Sequence, residues 1–344
     1  NFYYGLTAQN LIKKKLAFPL CGNKNLAFDH IEFLSRKKKS RVIHIGKINL
    51  LNKILKKIVK NDIKKILSKR PNLNKNLKFS EPLIMGVLNL TPDSFSDGGL
   101  FSQSYKAFSH IQNMISKGAN VIDVGGESTR PGSKDVSPKM EWKRLKNVIT
   151  KFKKNYPKIF LSIDTRNSEV MLKAMENKSD IINDVSGFNY DINAIDQIKN
   201  FNVWRVLHHM QGTPNTMQIN PKYENVLLDL YDFFEKKLKI DFKKFKHKKF
   251  IIDPGIGFGK NLKHNLIIMN KISLFHSLGF PILIGTSKKR FISQISKSFD
   301  SKERLGGTLS SVLFTLSQGV QIFRIHNVKE IKQGILVFEE LLKK

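Results

Sequence analysis

Polar residues stand at the ends of several short apolar runs, where a packed core would not select them. Asp164, Asn183 and Asp253, together with Lys289, offer hydrogen-bond acceptors and donors at such positions. Carboxylate and amide groups pair with the ring N–H and exocyclic amino groups of a flat, nitrogen-rich heterocycle, and buried polar sites discriminate strongly between ligands. These residue types therefore predict a binding site for such a heterocycle.

A second set of residues suits an anion. Arg324 and His326 alternate on one predicted strand, so both side chains point to the same face. Arginine forms forked hydrogen bonds to phosphate, which predicts a site for an anionic phosphate group. The alternative is an internal salt bridge from Arg324 to Asp253 or Glu127. Asn89 adds an amide oxygen of the kind that a hard cation such as Mg²⁺ accepts.

From residue 83 onward, short apolar runs alternate with longer amphipathic ones. The runs that predict strands are Leu83–Leu90, Asn120–Gly126, Lys158–Thr165, Ile181–Ser186, Val203–Met210, Phe250–Gly255, Pro281–Thr286 and Ile322–Asn327. The patterns that predict helices include Ser102–Lys117, Pro138–Lys153, Asn225–Lys246 and Arg304–Gln318. Strands alternating with helices are typical of βαβ units. Eight repeats in about 260 residues favour an α/β fold of the (β/α)8 TIM-barrel type over an open doubly wound sheet.

The polar residues fall at the carboxyl ends of the predicted strands, which converge on one mouth of a barrel, where active sites are built. A single Asp or Asn there is usually a turn or helix-cap residue. Polar ends on nearly every strand are much harder to assign to capping alone. Two loops, Thr91–Gly99 and Gly125–Gly132, are rich in glycine, proline and hydroxyl groups and are candidates for closing over a substrate.

Residues 1–80 have a different pattern and predict a small basic N-terminal extension before a catalytic barrel at 81–344. Residues 49–70 place apolar residues at helical spacing opposite lysines, which predicts a surface helix docked by its apolar stripe. Pro71 and the polar run Asn72–Asn76 then predict a linker.

Composition limits the class of protein. The formal net charge is +32, but the excess is scattered lysine without an arginine-rich stripe. This favours a compositional bias over a nucleic-acid site, with a basic tether to nucleic acid or a partner as the alternative for residues 1–80. Cys21 is the only cysteine, which fits a reducing compartment. Because neither a membrane span nor a secretory signal is evident, we expect a cytoplasmic location.

The polar strand ends belong to longer motifs that resemble those of dihydropteroate synthases, enzymes of the folate pathway. Residues 85–99, MGVLNLTPDSFSDGG, and residues 123–132, DVGGESTRPG, are similar to the first and second signatures of that family. Later motifs match in the same order: SIDT at 162–165, NDVSG at 183–187, DPGIGFGK at 253–260, SKK at 287–289 and RIHNV at 324–328. The resemblance therefore spans residues 83–328.

The resemblance implies a role for each matched residue. The residues implied to bind the pterin are Asp164, Asn183, Asp253 and Lys289. Those implied at the metal ion and the pyrophosphate are Asn89, Asp97, Arg324 and His326, with Thr129 and Arg130 from the second loop. Those implied to line the p-aminobenzoate pocket are Phe95, Pro131 and Phe258. Catalysis would rest on Asp97, Lys289, Arg324 and His326.

The family's reaction is a substitution at the pterin methylene: pyrophosphate departs, and the arylamine of p-aminobenzoate attacks the resonance-stabilised cation. The enzyme would stabilise the leaving group electrostatically and exclude water rather than supply a nucleophile. The resemblance also implies Mg²⁺ held by Asn89 and Asp97, a homodimer that uses the last helices, and a target for sulfonamides. No nucleic acid or membrane partner is expected.

Two positions depart from the family pattern. His208 stands where many members have methionine; methionine would pack on the pterin, whereas histidine could stack or hydrogen-bond. Arg290 follows Lys289 where a serine that meets the aminobenzoate carboxylate is common. The arginine would either pair with that carboxylate or point into solvent.

A pterin-binding methyltransferase that acts on methyltetrahydrofolate is the alternative enzyme class, because the pterin-binding set would serve both. Arg324 and His326 favour the synthase, since only the synthase must hold pyrophosphate.

Overall fold

The computed structural model describes residues 1–37, 39–50, 53–91, 100–128 and 135–343. Within these ranges the chain forms a small N-terminal subdomain followed by an eight-stranded parallel sheet with interspersed helices. No helix in this part of the chain is both long enough and apolar enough to cross a membrane.

The N-terminal subdomain, residues 1–70, contains two small antiparallel sheets. Its strands are β1 (Phe2–Tyr4), β2 (Phe18–Leu20), β3 (Asn23–Phe28), β4 (His30–Phe33) and β5 (Arg41–His44), and its helices are α1 (Gly5–Lys13) and α2 (Lys53–Leu67). β3 lies between β1 and β2, and β4 and β5 form a hairpin. Ile63, Ile66 and Leu67 of α2 pack on Leu20 and Phe28, which confirms a helix docked by its apolar stripe.

The remaining strands form the predicted barrel. They are β6 (Leu83–Asn89), β7 (Val121–Gly125), β8 (Phe160–Asp164), β9 (Ile181–Asp184), β10 (Trp204–His208), β11 (Phe250–Asp253), β12 (Leu283–Ile284) and β13 (Ile322–Ile325). Neighbouring strands pair in parallel in the order β11-β10-β9-β8-β7-β6-β13-β12. A parallel bridge between Ile252 and Ile282 joins the two ends of this sheet. The predicted fold class is confirmed, and each strand lies within its predicted range.

Helices alternate with these strands. They are α3 (Leu100–Ser116), α4 (Pro138–Asn155), α5 (Ser168–Glu176), α6 (Ala194–Ile198), α7 (Val226–Lys239), α8 (Leu262–Asn270), α9 (Arg290–Ser296), α10 (Leu305–Leu316) and α11 (Val328–Leu342). α7 ends at Lys239 and not at the predicted Lys246. The chain turns there into a 3-10 helix, Asp241–Lys244, in which Phe242 stacks on Phe250 with ring centroids 4.8 Å apart.

The barrel interior changes character along its axis. Residues two apart on a strand face the same side, so alternate residues of each strand point inward. At the amino ends these inward residues are apolar, and Val121, Phe160 and Ile181 share one buried cluster. Two positions further along the same three strands, the inward residues are polar: Asp123, Ser162 and Asn183. The barrel therefore has an apolar floor and a polar mouth.

Residues 71–82 close the floor of the barrel. Leu73 and Phe79 are buried in the same apolar cluster. The Trp204 indole donates a hydrogen bond to the Leu73 carbonyl at 3.2 Å, and the Phe79 and Trp204 rings meet edge to face with centroids 5.4 Å apart. The polar run Asn72–Asn76 therefore connects the subdomain to the barrel, as predicted, but it is anchored in the core by Leu73.

Candidate active site

The parallel register places predicted site residues side by side at the mouth of the barrel. Asp164 of β8 is the Cα partner of Asn183 of β9, and His208 of β10 is the partner of Asp253 of β11. All four residues are buried. Four strands therefore bring residues that are far apart in sequence into one polar layer.

Arg324 of β13 lies between two carboxylates inside the barrel. Its Nε donates to Asp123 Oδ2 and its Nη2 donates to Asp164 Oδ2, both at 2.7 Å. Asp123 Oδ2 also accepts a hydrogen bond from Asn183 Nδ2 at 3.2 Å. Burial raises the pKa of the Asp164 carboxyl group, while the charge of Arg324 opposes that shift. The arginine thus ties together the strands that form one side of the mouth.

The internal salt bridge considered for Arg324 is present, but its expected partners, Asp253 and Glu127, are wrong. Glu127 lies beyond the end of β7, where Arg166 donates to both of its carboxylate oxygens at 2.8 and 2.9 Å. Arg166 also contacts Asp135 Oδ1 at 3.2 Å. Glu127 is therefore paired with Arg166, which also binds Asp135, and not with Arg324.

Two buried acceptors in the polar layer have no hydrogen-bond partner among the described residues. They are Asp123 Oδ1 and Asn183 Oδ1. Leaving a buried acceptor without a donor costs about 1–3 kcal/mol. Ser162 Oγ, on the same inward face of β8, is also unpartnered among these residues. The interior therefore presents a set of acceptors suited to a ligand that donates hydrogen bonds.

Lys289 and Asp253 add titratable groups to this layer. The Lys289 ammonium lies over the Phe258 ring, 4.0 Å from its centroid. Burial, helped by the charge of Arg324, lowers the pKa of Lys289 to about 8. Burial raises the pKa of Asp253 to about 6, although the backbone N–H of Gly255 donates to Asp253 Oδ1 at 2.8 Å and opposes the shift. Both groups therefore change protonation close to neutral pH, as is common in functional sites.

His208 is a neutral imidazole in this arrangement. Its Nδ1 lies 2.8 Å from the carbonyl oxygen of Val185, which can only accept, so Nδ1 carries the proton. Burial, together with the charge of Lys260, holds the pKa of His208 well below its usual range. Nε2 is left as an acceptor 4.0 Å from Asp253 Oδ2, and the ring meets Phe258 edge to face at 4.6 Å. His208 thus bonds to the backbone, and its contact with a pterin stays a prediction.

Two residues of the site were not given a role from the sequence. Lys260 is buried, and its ammonium contacts His209 Nδ1 at 3.0 Å and the Phe258 carbonyl at 2.9 Å, which fixes the loop after β11 against β10. Burial lowers the pKa of Lys260 to about 7. Asp123 is the second residue without a predicted role. It lies two positions after Val121 on β7, and this spacing could have predicted that its side chain points into the barrel.

The other predicted residues that the structure describes lie around this layer. His326 follows β13, with its Nδ1 3.0 Å from Ser287 Oγ. Arg290 is exposed at the start of α9, which agrees with the solvent interpretation, while its pairing with a bound carboxylate stays a prediction. Asn89 ends β6, and a Cβ atom built on Gly125 would lie 3.4 Å from Asn89 Oδ1. Asn89 is therefore next to the end of β7.

Five predicted site residues lie outside the described residues: Phe95, Asp97, Thr129, Arg130 and Pro131. The two loops expected to close over a substrate are described only in part. The roles of these residues stay predictions.

The parallel barrel places this chain in the class of TIM-barrel enzymes. Its mouth combines lysine and arginine with acceptors that have no partner among the described residues, which suits a flat, donor-rich heterocycle. A family model described as pterin binding enzyme matches residues 85–326. The dihydropteroate synthase of Escherichia coli strain K12 is 38% identical over 268 residues, which cover 78% of this chain and 94% of that protein. The dihydropteroate synthase of Bacillus subtilis strain 168 is 38% identical over 263 residues, covering 76% of this chain and 89% of that protein.

Solved structures agree with these relatives. The Yersinia pestis dihydropteroate synthase, solved in complex with a sulfonamide drug, has a TM-score of 0.71 and 34% sequence identity, covering 78% of this chain and 97% of that one. The Thermus thermophilus enzyme in complex with 4-aminobenzoate has a TM-score of 0.68 and 31% identity, covering 77% of this chain and 96% of that one. The chain belongs to the dihydropteroate synthase family.

Proposed function

We propose that this chain condenses 6-hydroxymethyl-7,8-dihydropterin pyrophosphate with p-aminobenzoate to give 7,8-dihydropteroate and pyrophosphate. The observation that carries the proposal is a buried pair of acceptors, Asp123 Oδ1 and Asn183 Oδ1, to which none of the described residues donates, beside the carboxyl groups of Asp164 and Asp253. A pterin ring offers the N–H and amino donors that such a set requires. Membership of the dihydropteroate synthase family supports the same substrate.

The pterin is held by four side chains in this proposal. Asp164 and Asp253 accept from ring N–H and amino groups as ionised carboxylates, and the Asn183 amide oxygen accepts a further hydrogen bond. Lys289 donates to the oxygen or a nitrogen of the ring. Because the carboxyl groups sit in a buried layer, a ring with the wrong donor pattern would leave them unpaired, which gives the site its specificity.

Arg324 and His326 stabilise the leaving group. The methylene C–O bond breaks with its electron pair moving to pyrophosphate, and the C–N bond to the arylamine forms as that nitrogen gives up a proton. Arg324 is fixed by its two carboxylate partners, so it need not reorganise as negative charge grows. Its bonds to Asp123 and Asp164 use Nε and Nη2, which leaves Nη1 for a phosphate oxygen.

Mg²⁺ is part of the proposal. The described residues contain no cluster of three or more His, Cys, Asp or Glu side chains that could hold a metal ion. Mg²⁺ needs no such cluster when substrate phosphates and water supply most of its ligands. The oxygen of Asn89 at the mouth is a suitable protein ligand, with Asp97 as the proposed second one. The ion would neutralise charge on the departing pyrophosphate.

The aminobenzoate would bind beside the pterin. Phe258, whose ring contacts both Lys289 and His208, supplies an apolar wall close to the polar layer. Phe95 and Pro131 are proposed as the other walls, and Thr129 and Arg130 as further contacts from the second loop. Arg290 is proposed as one partner for the carboxylate, because it is exposed directly after Lys289.

We also propose a homodimer that uses the last helices. Phe314 of α10 and Leu336, Val337 and Leu341 of α11 are large apolar side chains that are between 48% and 72% exposed in the isolated chain. Exposed apolar side chains on two helices that pack together are typical of a protein interface.

The identity of the product tests the proposed function. Purified protein given dihydropterin pyrophosphate, p-aminobenzoate and Mg²⁺ should form dihydropteroate, identified by mass spectrometry. A methyltransferase would instead demethylate methyltetrahydrofolate in the presence of a methyl acceptor. Demethylation without dihydropteroate formation would replace the proposal with the methyltransferase alternative.

A further inference from the structure

The N-terminal subdomain contacts the barrel at several points. Arg70 donates to the His276 carbonyl at 2.9 Å, and the Tyr4 hydroxyl donates to the Ser317 carbonyl at 2.8 Å. On the β4–β5 hairpin, Glu32 accepts from Lys271 at 2.6 Å. The subdomain is therefore packed on the barrel and not merely tethered to it.

Arg36, in the turn of the β4–β5 hairpin, binds the beginning of α7. Its Nη1 donates to Asp229 Oδ1 at 2.6 Å and lies 3.3 Å from Glu224 Oε2, while its Nη2 donates to Asp232 Oδ2 at 2.7 Å. One planar guanidinium thus meets three carboxylates that flank the first turn of the helix. Asp229 also accepts from the backbone N–H of Asn225, the residue that caps α7.

The start of α7 is at the active-site end of the barrel. Residues 209–225 connect the carboxyl end of β10, which ends in His208, to the start of α7. In a (β/α)8 barrel such connections form the rim of the active site. Arg36 therefore contacts the far end of a loop that begins at a site residue.

The same loop holds the glycine-rich turn that carries Phe258. The Gln218 side chain donates to the Gly257 carbonyl at 2.6 Å, and the Tyr223 hydroxyl donates to the Gly259 carbonyl at 2.7 Å. Gly257 and Gly259 have φ angles of +81° and +64°, a region that other residues rarely adopt. The turn between them sets the position of the Phe258 ring against Lys289 and His208.

We propose that the N-terminal subdomain is an integral part of the catalytic unit, in which Arg36 acts as a positioning residue for the loop 209–225 and, through it, for the turn at Phe258. This inference rests on the proposed function, in which Phe258 lines the aminobenzoate pocket and its ring also contacts Lys289, which binds the dihydropterin. The contacts run from Arg36 to the carboxylates at the start of α7, then through Tyr223 and Gln218 to the carbonyls on either side of Phe258.

Arg36→Ala tests the proposal, with Arg41→Ala as the matched control. Arg41 lies on the same hairpin, is exposed, and forms no side-chain hydrogen bond or ion pair with the described residues. Hydrogen exchange should become faster at the amides of 209–225 and 255–260 in Arg36→Ala only. Dihydropterin affinity, measured by calorimetry, should fall about three- to fivefold, because contacts of partly exposed ion pairs are individually weak. Arg36→Lys should restore part of the affinity.

A double-mutant cycle with Asp232→Asn separates positioning from general stability. Asp232 is largely exposed and contacts Arg36, so the double variant should bind dihydropterin as strongly as Arg36→Ala alone does. If the losses of affinity in the two single variants simply added in the double variant, that result would overturn the proposal. So would faster exchange confined to the hairpin 30–44, or a lower melting temperature with unchanged dihydropterin affinity of the folded protein.

The two proposals can fail separately. Hydrogen exchange needs no ligand, so it still reports on the Arg36 contacts if wild-type protein does not bind dihydropterin. Absence of dihydropterin binding in the wild type would count against the proposed function. Normal wild-type turnover with identical behaviour of Arg36→Ala and Arg41→Ala would count against the role of Arg36 alone.

Discussion

Arg324→Lys should lower turnover about a hundredfold, since removing one preorganised donor from a charged transition state typically costs about 10²–10³ in kcat. Lysine keeps the charge but loses the planar fork, and with it the fixed geometry in which the arginine bonds to both Asp123 and Asp164. The charge on pyrophosphate grows as the methylene bond breaks, and the loss should therefore appear mainly in the transition state. The measurement is kcat with both substrates saturating.

A dihydropterin that lacks the pyrophosphate separates the two roles of Arg324. Its dissociation constant should rise far less than kcat falls, because only the contact with Asp164 affects it. Arg41→Lys, the same change at an exposed arginine of β5, should leave both quantities at wild-type values. Weaker binding of the bare pterin with unchanged turnover would show that Arg324 serves the ring and not the leaving group.

Asp164→Asn should weaken dihydropterin binding about ten- to a hundredfold, because a buried mispaired group costs about 1–3 kcal/mol. The amide keeps the size of the side chain and one acceptor for Arg324, so the fold should persist. It replaces a carboxylate oxygen with an N–H₂ donor that would face the donors of the pterin ring. Calorimetric titration with dihydropterin measures the change.

The pH dependence of the same titration gives a second readout. Burial raises the pKa of Asp164, and it raises the pKa of Asp253 to about 6. Below these values the empty site holds protons that a donor-rich ring must displace, so wild-type affinity should rise with pH and level off once both groups are ionised. Asp164→Asn should leave only the part of this dependence that Asp253 causes. Asp196→Asn, the same change at an exposed aspartate, is the control and should keep the wild-type pH dependence. If Asp164→Asn also kept the wild-type affinity and pH dependence, Asp164 would not be part of the site.

The sequence was sufficient for the barrel and for much of the mouth. A strand buried on both faces is a short apolar run, and β9 shows that pattern together with a polar end at Asn183 and Asp184. Because parallel strands direct their carboxyl ends to one mouth, polar ends such as Asp164 and Asp253 could be assigned to one site before their distances were known.

Contacts that depend on how far along the barrel axis a side chain lies could not be predicted from the sequence. Arg324 reaches Asp123 because both point inward at the same depth on β13 and β7, and nothing in the local sequence fixes that depth. Leu73 was assigned to a linker because its neighbours are polar, although its own side chain is buried in the barrel floor. The contact of Arg36 with α7 joins residues nearly two hundred positions apart.

Release of pyrophosphate by the purified wild-type protein tests the proposed reaction most directly. We expect release in the presence of Mg²⁺ only when dihydropterin pyrophosphate and p-aminobenzoate are both supplied, with one dihydropteroate formed for each pyrophosphate. Arg324→Lys should reduce both rates equally. Pyrophosphate release that does not depend on p-aminobenzoate would contradict the assignment of this site to a dihydropteroate synthase. So would the absence of release when both substrates are present.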